Sequence, residues 1–137
     1  MSDWTDRAAP SLDDLMALAR RALDRLPQPF ARLAAEVAIH VEDFADDAVL
    51  DEMGIEDPFE LTGCYLGVDL AHRSVMGPEP ATPRVFLYRR PILDEWCERG
   101  DLTLGELVEH VLVHEIGHHF GLSDDDIEAI ETAADED

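Results

Sequence analysis

The chain has 137 residues, 46% of them hydrophobic, which is typical of a single folded domain with one core. Its 32 acidic residues outnumber its 10 lysines and arginines and give an acidic protein with a formal net charge of -22. Because such a surface repels phosphate groups, we expect neither nucleic acid nor an anionic membrane surface as a partner.

The N-terminal segment, residues 1–10, is predicted to be a loosely ordered tail before a single domain over residues 11–137. The tail lacks the basic start and apolar stretch of a signal peptide. No apolar run approaches the roughly 18 residues that a membrane-spanning helix needs. We therefore expect a cytoplasmic protein, with a monomer favoured. In that reducing compartment Cys64 and Cys97 are predicted to be buried thiols rather than a disulfide.

Two helices are predicted in the first third of the chain. Ser11 and Asp14 form a start that resembles a capping box, and apolar residues then recur at helical spacing as far as Leu26. Pro29 can open a second, short helix through Ala35, because proline is tolerated at the first helical position.

Short apolar runs predict a small sheet of three or four strands. The runs that predict strands are 37–41, 65–70 and 84–88. Between the first two, residues 43–62 are rich in acidic side chains and contain Gly54 and Pro58. This segment is predicted to be a loop with at most one helical turn around 49–53.

The last third of the chain is predicted to be helical. Pro91 opens a helix that ends near Glu98, and a final short helix begins at Ser123 and ends near residue 134. A longer helix lies between them. The elements together predict an α+β fold, in which the small sheet packs on this longer helix and further helices lie at both ends of the chain.

The longer helix, predicted between Thr103 and Gly121, carries side chains that can bind a metal ion or act in catalysis. It begins with a capping box formed by Thr103 and Glu106, and its second half is apolar on nearly every side, which is typical of a buried helix. His114 and His118 are spaced so that both imidazoles lie on one face, one turn apart, where they can share a metal ion. Because burying such groups without compensation is costly, metal binding is favoured over two core histidines.

A general base and a third ligand are predicted close to the two histidines. Glu115 directly follows the first histidine, so its carboxylate lies about 100° round the helix, beside the metal, where a base for a metal-activated water belongs. A catalytic zinc commonly takes three protein ligands and leaves one position for water. Gly121 allows the chain to reverse, and Asp124 can then reach back as the third ligand, with Glu128 or Glu131 as weaker substitutes.

Four other side chains are assigned to the surface or the core rather than to the chemistry. His119 is predicted to lie on another face of the helix. His110 is predicted to be solvated, although it can also line the mouth of a cleft. Tyr65 and Tyr88 can stabilise an oxyanion, but positions in the core or on an edge strand are favoured for both.

The full string reads His114-Glu115-x-x-His118-x-x-Gly121-x-x-Asp124 and resembles the Asp-type zincins, metallopeptidases with the pattern H-E-x-x-H-x-x-G-x-x-D. Over roughly residues 12–134 the chain is also similar to a family of small bacterial zincin-like metallopeptidases, and the resemblance is carried by the runs 65–70, 88–93 and 114–124. By position, the resemblance implies one zinc ion held by His114, His118 and Asp124, with Glu115 as the base. It also implies a minimal zincin-like fold.

The resemblance implies a hydrolase, a zinc-dependent metallopeptidase in which a metal-activated water attacks the carbonyl of a peptide or protein substrate. Metzincins have a methionine turn after the zinc string, whereas all four methionines of this chain precede it. Two alternatives therefore stay open. One is a non-catalytic binding or regulatory module stabilised by zinc, and the other is a metal-dependent hydrolase of a non-peptide substrate.

Overall fold

Helices form at both ends of the chain and a small sheet lies between them. The computed structural model describes residues 4–28, 30–66 and 83–135. The helices in these ranges are α1 (Leu12–Asp24), α2 (Phe30–Ala34), α3 (Asp47–Met53), α4 (Arg89–Arg99), α5 (Leu104–His119) and α6 (Asp124–Asp135). The strands are β1 (Ala38–Glu42), β2 (Gly63–Leu66) and β3 (Arg84–Tyr88). The predicted α+β fold with a small sheet is confirmed.

The sheet has the strand order β1-β3-β2. β1 and β3 run parallel, with Ile39 opposite Val85, whereas β2 runs antiparallel to β3, with Cys64 opposite Phe86. β3 has the predicted bounds and lies in the centre. β2 begins two residues before its predicted start, and the predicted strand residues 67–70 lie outside the described ranges.

The main core lies between the sheet, α1 and α5. Leu15 of α1, Val85 and Leu87 of β3, and Leu107 and Leu112 of α5 are all fully buried. α5 therefore has the core on one side, and truncating any of these leucines to alanine is expected to cost about 2–5 kcal/mol. No helix in the described part of the chain is long and apolar enough to cross a membrane.

Residues 43–62 hold more regular structure than predicted. α3 spans seven residues, about two turns, and a 3-10 turn follows at Pro58–Glu60. The expectation of at most one helical turn was wrong, because the acidic residues there do not oppose a helix. Asp46 and Asp47 lie at the N-terminal end of α3, where negative charge is favourable, and Leu50 is buried in a second apolar cluster with Tyr88.

The beginning of α4 also differs from the prediction. The helix starts at Arg89, two residues before Pro91. Proline in the first turn removes no helical hydrogen bond, because the first N–H groups of a helix have no acceptor within it. α2 confirms the predicted short helix, and the proposed opening residue Pro29 lies outside the described ranges.

The N-terminal segment makes ordered contacts with the start of α4. Trp4–Asp6 forms a 3-10 turn, and Arg89 donates a hydrogen bond to the carbonyl of Pro10. The same guanidinium lies 3.0 Å from the carboxylate of Asp43. The division into a loose tail and one domain stays a prediction.

Both cysteines are free thiols, as predicted. Cys64 is buried in the second apolar cluster. Cys97 is exposed, so the prediction that it is buried was wrong. It lies on the outer face of α4, and isolated apolar residues in a sequence carry no signal of which helix face they occupy.

Candidate metal centre

The candidate site lies on the second half of α5, whose two ends are fixed as the sequence predicted. The Thr103 hydroxyl accepts a hydrogen bond from the N–H of Glu106 at 3.1 Å, and the Glu106 carboxylate accepts one from the N–H of Thr103 at 2.9 Å. At the other end Gly121 has a φ of 73°, a left-handed conformation that favours glycine. The turn at Gly121 lets α6 run back along α5.

The structure brings His114, His118 and Asp124 together at the end of α5. One donor atom from each of the three side chains lies within 4.8 Å of the other two. The ring centroids of the two histidines are 5.8 Å apart. Two imidazoles and a carboxylate are donors that zinc commonly takes, and donors around one tetrahedral zinc lie roughly 3.4 Å apart. The set fits one zinc ion after small side-chain rotations.

These side chains are less buried than the apolar sequence predicted. The His114 side chain is 32% exposed, and His118 and Asp124 are exposed. Their neighbour Ile116, by contrast, is fully buried. The cost of burying histidines is therefore a weak argument for the metal, and the convergence of the three donors is the strong one.

The electrostatic surroundings of His114 favour its neutral form. Its pKa is lowered chiefly because partial burial penalises the imidazolium, and His110 and His118 add to this effect as neighbouring positive charges. Glu131 and Asp124 act in the opposite direction. A neutral imidazole is the form that binds a metal ion, so the lowered pKa of His114 favours its role as a metal ligand.

Glu115 lies on the face of α5 that is turned toward β2. A Cβ atom added to Gly63 of β2 would lie 3.3 Å from Glu115 Cγ and 2.7 Å from Val111 Cγ1, so this strand passes very close to the helix. The main-chain N–H of Tyr65 donates a hydrogen bond to the Glu115 carboxylate. Gly63 was not singled out in the sequence, although a glycine inside a strand is a known sign of close approach.

Burial raises the pKa of Glu115. The loss of solvation is the largest cause and exceeds the opposing effects of His118 and the Tyr65 hydrogen bond. A carboxylate with a raised pKa accepts a proton more readily near neutral pH and holds it long enough to return it. The position and environment of this residue therefore match those of a general base.

A cavity of about 230 Å³ opens beside Glu115. Its walls are formed by Thr62, Glu95, His110, Val111, His114 and Glu115. His110 lines this cavity with a side chain that is 44% exposed. Its Nδ1 also lies 2.9 Å from Glu131 Oε1, so the same residue contacts α6. The volume is below the usual 300–1,000 Å³ of ligand pockets and suits one side chain of a larger substrate.

α6 packs closely on α5 at Gly117. A Cβ atom there would lie 2.7 Å from Cγ1 and 2.8 Å from Cδ1 of Ile127, which is fully buried. Asp126 accepts a hydrogen bond from the N–H of Ser123 at 3.3 Å and so serves as a helix cap. The Gly117 contact keeps the first turn of α6, with Asp124, beside His118. Sequence reasoning missed Gly117, a small residue within an otherwise apolar helix.

The residues assigned to other roles are placed as follows. Tyr88 is 1% exposed and belongs to the core, as predicted. Tyr65 is partly buried and contributes its main-chain N–H to the site. The side chain of His119 lies outside the described part of the structure, so its predicted orientation stays a prediction.

A family model described as zincin-like metallopeptidase matches residues 34–134 of the chain. No curated protein matches it significantly. The matched residues make up well over half of the chain and run from the end of α2 to near the end of α6. The match therefore spans the whole described sheet and both helices that carry the candidate donors, and not only the short histidine string.

Proposed function

The chain belongs to the zincin-like metallopeptidase family, and we propose that it is a zinc-dependent peptidase with its active site on the second half of α5. The observation that supports this best is the approach of donor atoms from His114, His118 and Asp124 to within 4.8 Å of one another. In the proposal these three side chains hold one zinc ion, and the adjacent Glu115 is the general base.

Zinc, when bound, lowers the pKa of water to about 7 and polarises a carbonyl oxygen. The Glu115 carboxylate accepts the proton of the attacking water and later donates it to the leaving amine. The Tyr65 N–H holds this carboxylate in one orientation, and the Gly63 contact keeps β2 near enough for that hydrogen bond. The exposed His118 and Asp124 leave the site open to a peptide.

The substrate partner is proposed to be a peptide segment rather than a nucleic acid or a membrane surface. The cavity beside Glu115 has room for one side chain, at about 230 Å³. The net charge of -22 opposes phosphate-bearing partners, and the cavity wall adds the carboxylates of Glu95 and Glu115. A basic or neutral side chain is therefore favoured in the cavity.

The proposal is tested with Glu115→Gln, which keeps the shape of the side chain and removes the base. We expect this variant to retain stoichiometric zinc and to lose at least about 100-fold in kcat/KM, the usual contribution of a general base. Zinc content is measured by elemental analysis, and activity on a peptide library. Glu98→Gln, an exposed residue of α4, is the matched control and should retain both. A wild-type protein that holds one zinc ion and cleaves no peptide would rule the peptidase out.

A non-catalytic zinc module is the second candidate, because the proposed ligands come from two helices that a metal would tie together. Asp124 is on α6, whereas His114 and His118 are on α5. For a module of this kind, removal of zinc lowers the melting temperature strongly, and Glu115→Gln changes neither stability nor any cellular function. Loss of activity in Glu115→Gln at unchanged stability separates the peptidase from this alternative.

A further inference from the structure

A second group of donors lies one helical turn before the first, on the same two helices. His110 and His114 of α5 and Glu131 of α6 each place a donor atom within 4.8 Å of the others. We propose that these three residues form a second metal site. We call the set His114, His118 and Asp124 the first site; the two sites share His114. The inference concerns metal binding alone and does not depend on peptidase activity.

The distances in the second site suit a metal ion. Glu131 Oε1 lies 2.9 Å from His110 Nδ1 and 3.9 Å from His114 Nε2. The centroids of the two imidazole rings are 4.3 Å apart, closer than those of the first site at 5.8 Å. Donors bound to one tetrahedral zinc are roughly 3.4 Å apart, a value between the two measured distances. Little movement is therefore needed to enclose an ion.

The carboxylate of Glu131 presents a buried oxygen to the two imidazoles of the second site. Its Oε1 is buried and lies 2.9 Å from His110 Nδ1, a close contact between unlike groups that lacks the angles of a hydrogen bond. A buried carboxylate oxygen without a well-directed hydrogen-bond donor is costly. A cation held between this oxygen and the two imidazoles removes that cost. The side chains of this site are 21–44% exposed, which leaves an ion partly shielded from water.

The second site follows from the geometry of the helix pair. Histidines recur once per turn on α5, at 110, 114 and 118, and the acids Asp124 and Glu131 are two turns apart on one face of α6. Because α6 runs back along α5, each acid meets a different pair of histidines. Ile127 lies between the two acids in sequence and packs on Gly117. The pair of helices α5 and α6 thus repeats an arrangement of two histidines and one acidic residue along its length.

The shared His114 makes the two sites alternatives for one ion. Each set uses one donor atom of this histidine, so an ion in the second site is displaced by about one helical turn, roughly 5.4 Å, from the first. The second site has two of its residues, His110 and His114, in the wall of the cavity, whereas the first site has His114 alone. An ion that enters through the cavity therefore meets the second site before the first.

The test uses Co²⁺ titration of the metal-free full chain, followed by visible absorption and by calorimetric stoichiometry. Wild type is expected to bind one ion. Asp124→Ala, which loses the acid of the first site, is expected still to bind one ion, more weakly. In that background, His110→Ala and Glu131→Gln should each weaken Co²⁺ binding by at least about tenfold, since even loss of a group that only orients a ligand costs that much. His118→Ala in the same background should change little.

Two variants serve as controls. His40→Ala, an exposed histidine on the far edge strand, should bind Co²⁺ as wild type does, and His114→Ala should remove both sites. Circular dichroism checks that each variant is folded. The inference is overturned if Asp124→Ala binds no Co²⁺, or if its residual binding depends on His118 and not on His110 and Glu131. Two ions per wild-type chain would overturn the claim that the sites are alternatives. None of these outcomes depends on peptide cleavage.

Discussion

Glycine occupies two positions at which another element passes very close to the site helix. Gly63 brings β2 against Val111 and Glu115 of α5, and Gly117 lets Ile127 of α6 pack against α5. At each position an added Cβ would lie 2.7 Å from a neighbouring side-chain carbon, well inside ordinary contact distance. These two residues without side chains therefore set where the proposed base and the proposed third ligand lie.

The Gly117→Ala variant tests this role. Crowding against Ile127 is expected to cost about 1–3 kcal/mol and to exceed the gain of about 1 kcal/mol in helix propensity. The variant should therefore unfold at lower urea concentration than wild type when both are metal-free. Gly105→Ala is the matched control, because its Cβ would lie 3.7 Å from Leu18, an ordinary contact, and it should not destabilise the fold.

The Ile127→Ala variant tests whether the crowding expected in Gly117→Ala arises from Ile127. Ile127→Ala alone leaves a cavity and should cost about 2–5 kcal/mol. Combined with Gly117→Ala, the loss of stability should be smaller than the sum of the two single losses, because the new methyl group fills part of that cavity. Additive losses in this double-mutant cycle would mean that Gly117 does not act through Ile127.

The secondary-structure elements show which parts of the fold are determined locally. The capping boxes of α1 and α5 and the bounds of β3 were predicted, because each depends on residues a few positions apart. The order β1-β3-β2 was not predicted, since it depends on pairing between strands that are distant in sequence. α3 was underestimated because Leu50 is held by a tertiary cluster and not by its neighbours in sequence.

The residues of the candidate site likewise divide into those placed by local sequence and those placed by tertiary packing. His114, Glu115 and His118 lie on one helix, so their relative positions follow from helical spacing. The contact between His110 and Glu131 depends on how α6 lies along α5, and that packing is set at Gly117 and Ile127. The sequence did contain a partial signal, because histidines recur at three successive turns. Which acidic residue faces each pair of histidines could be identified only from the structure.

The capping box of α5 gives a prediction for pH. Hydrogen bonds from the main chain and the side chain of Thr103 lower the pKa of Glu106 below its usual value of 4.5. The box therefore stabilises the fold above the unfolded-state pKa, and this contribution is lost as the pH falls through the lower folded-state value. Wild type should exceed Glu106→Gln in free energy of unfolding at neutral pH, and the difference should shrink in acid. A difference independent of pH would contradict this.

At the scale of the whole molecule, the net charge of -22 opposes compactness. Raising NaCl from about 0.01 M to about 0.1 M shortens the Debye length from about 30 Å to about 10 Å and weakens this repulsion. We expect the melting temperature of the metal-free protein to rise over that range, as measured by differential scanning fluorimetry. Tetramethylammonium chloride should act similarly, because the effect is screening. A melting temperature that stays constant or falls would show that self-repulsion is not significant.

The hydrogen bond from Tyr65 to Glu115 has a consequence for how the protein can change during evolution. All donors of both proposed metal sites lie within the helical hairpin of residues 110–131, whereas the groups that hold the base come from β2, far upstream. Substitutions along β2 can therefore abolish hydrolysis in a descendant and leave metal affinity intact. Within the hairpin, by contrast, replacement of the shared ligand His114 removes metal binding and hydrolysis together. Substitutions in one edge strand of the sheet can therefore convert an enzyme into a metal-binding protein without activity.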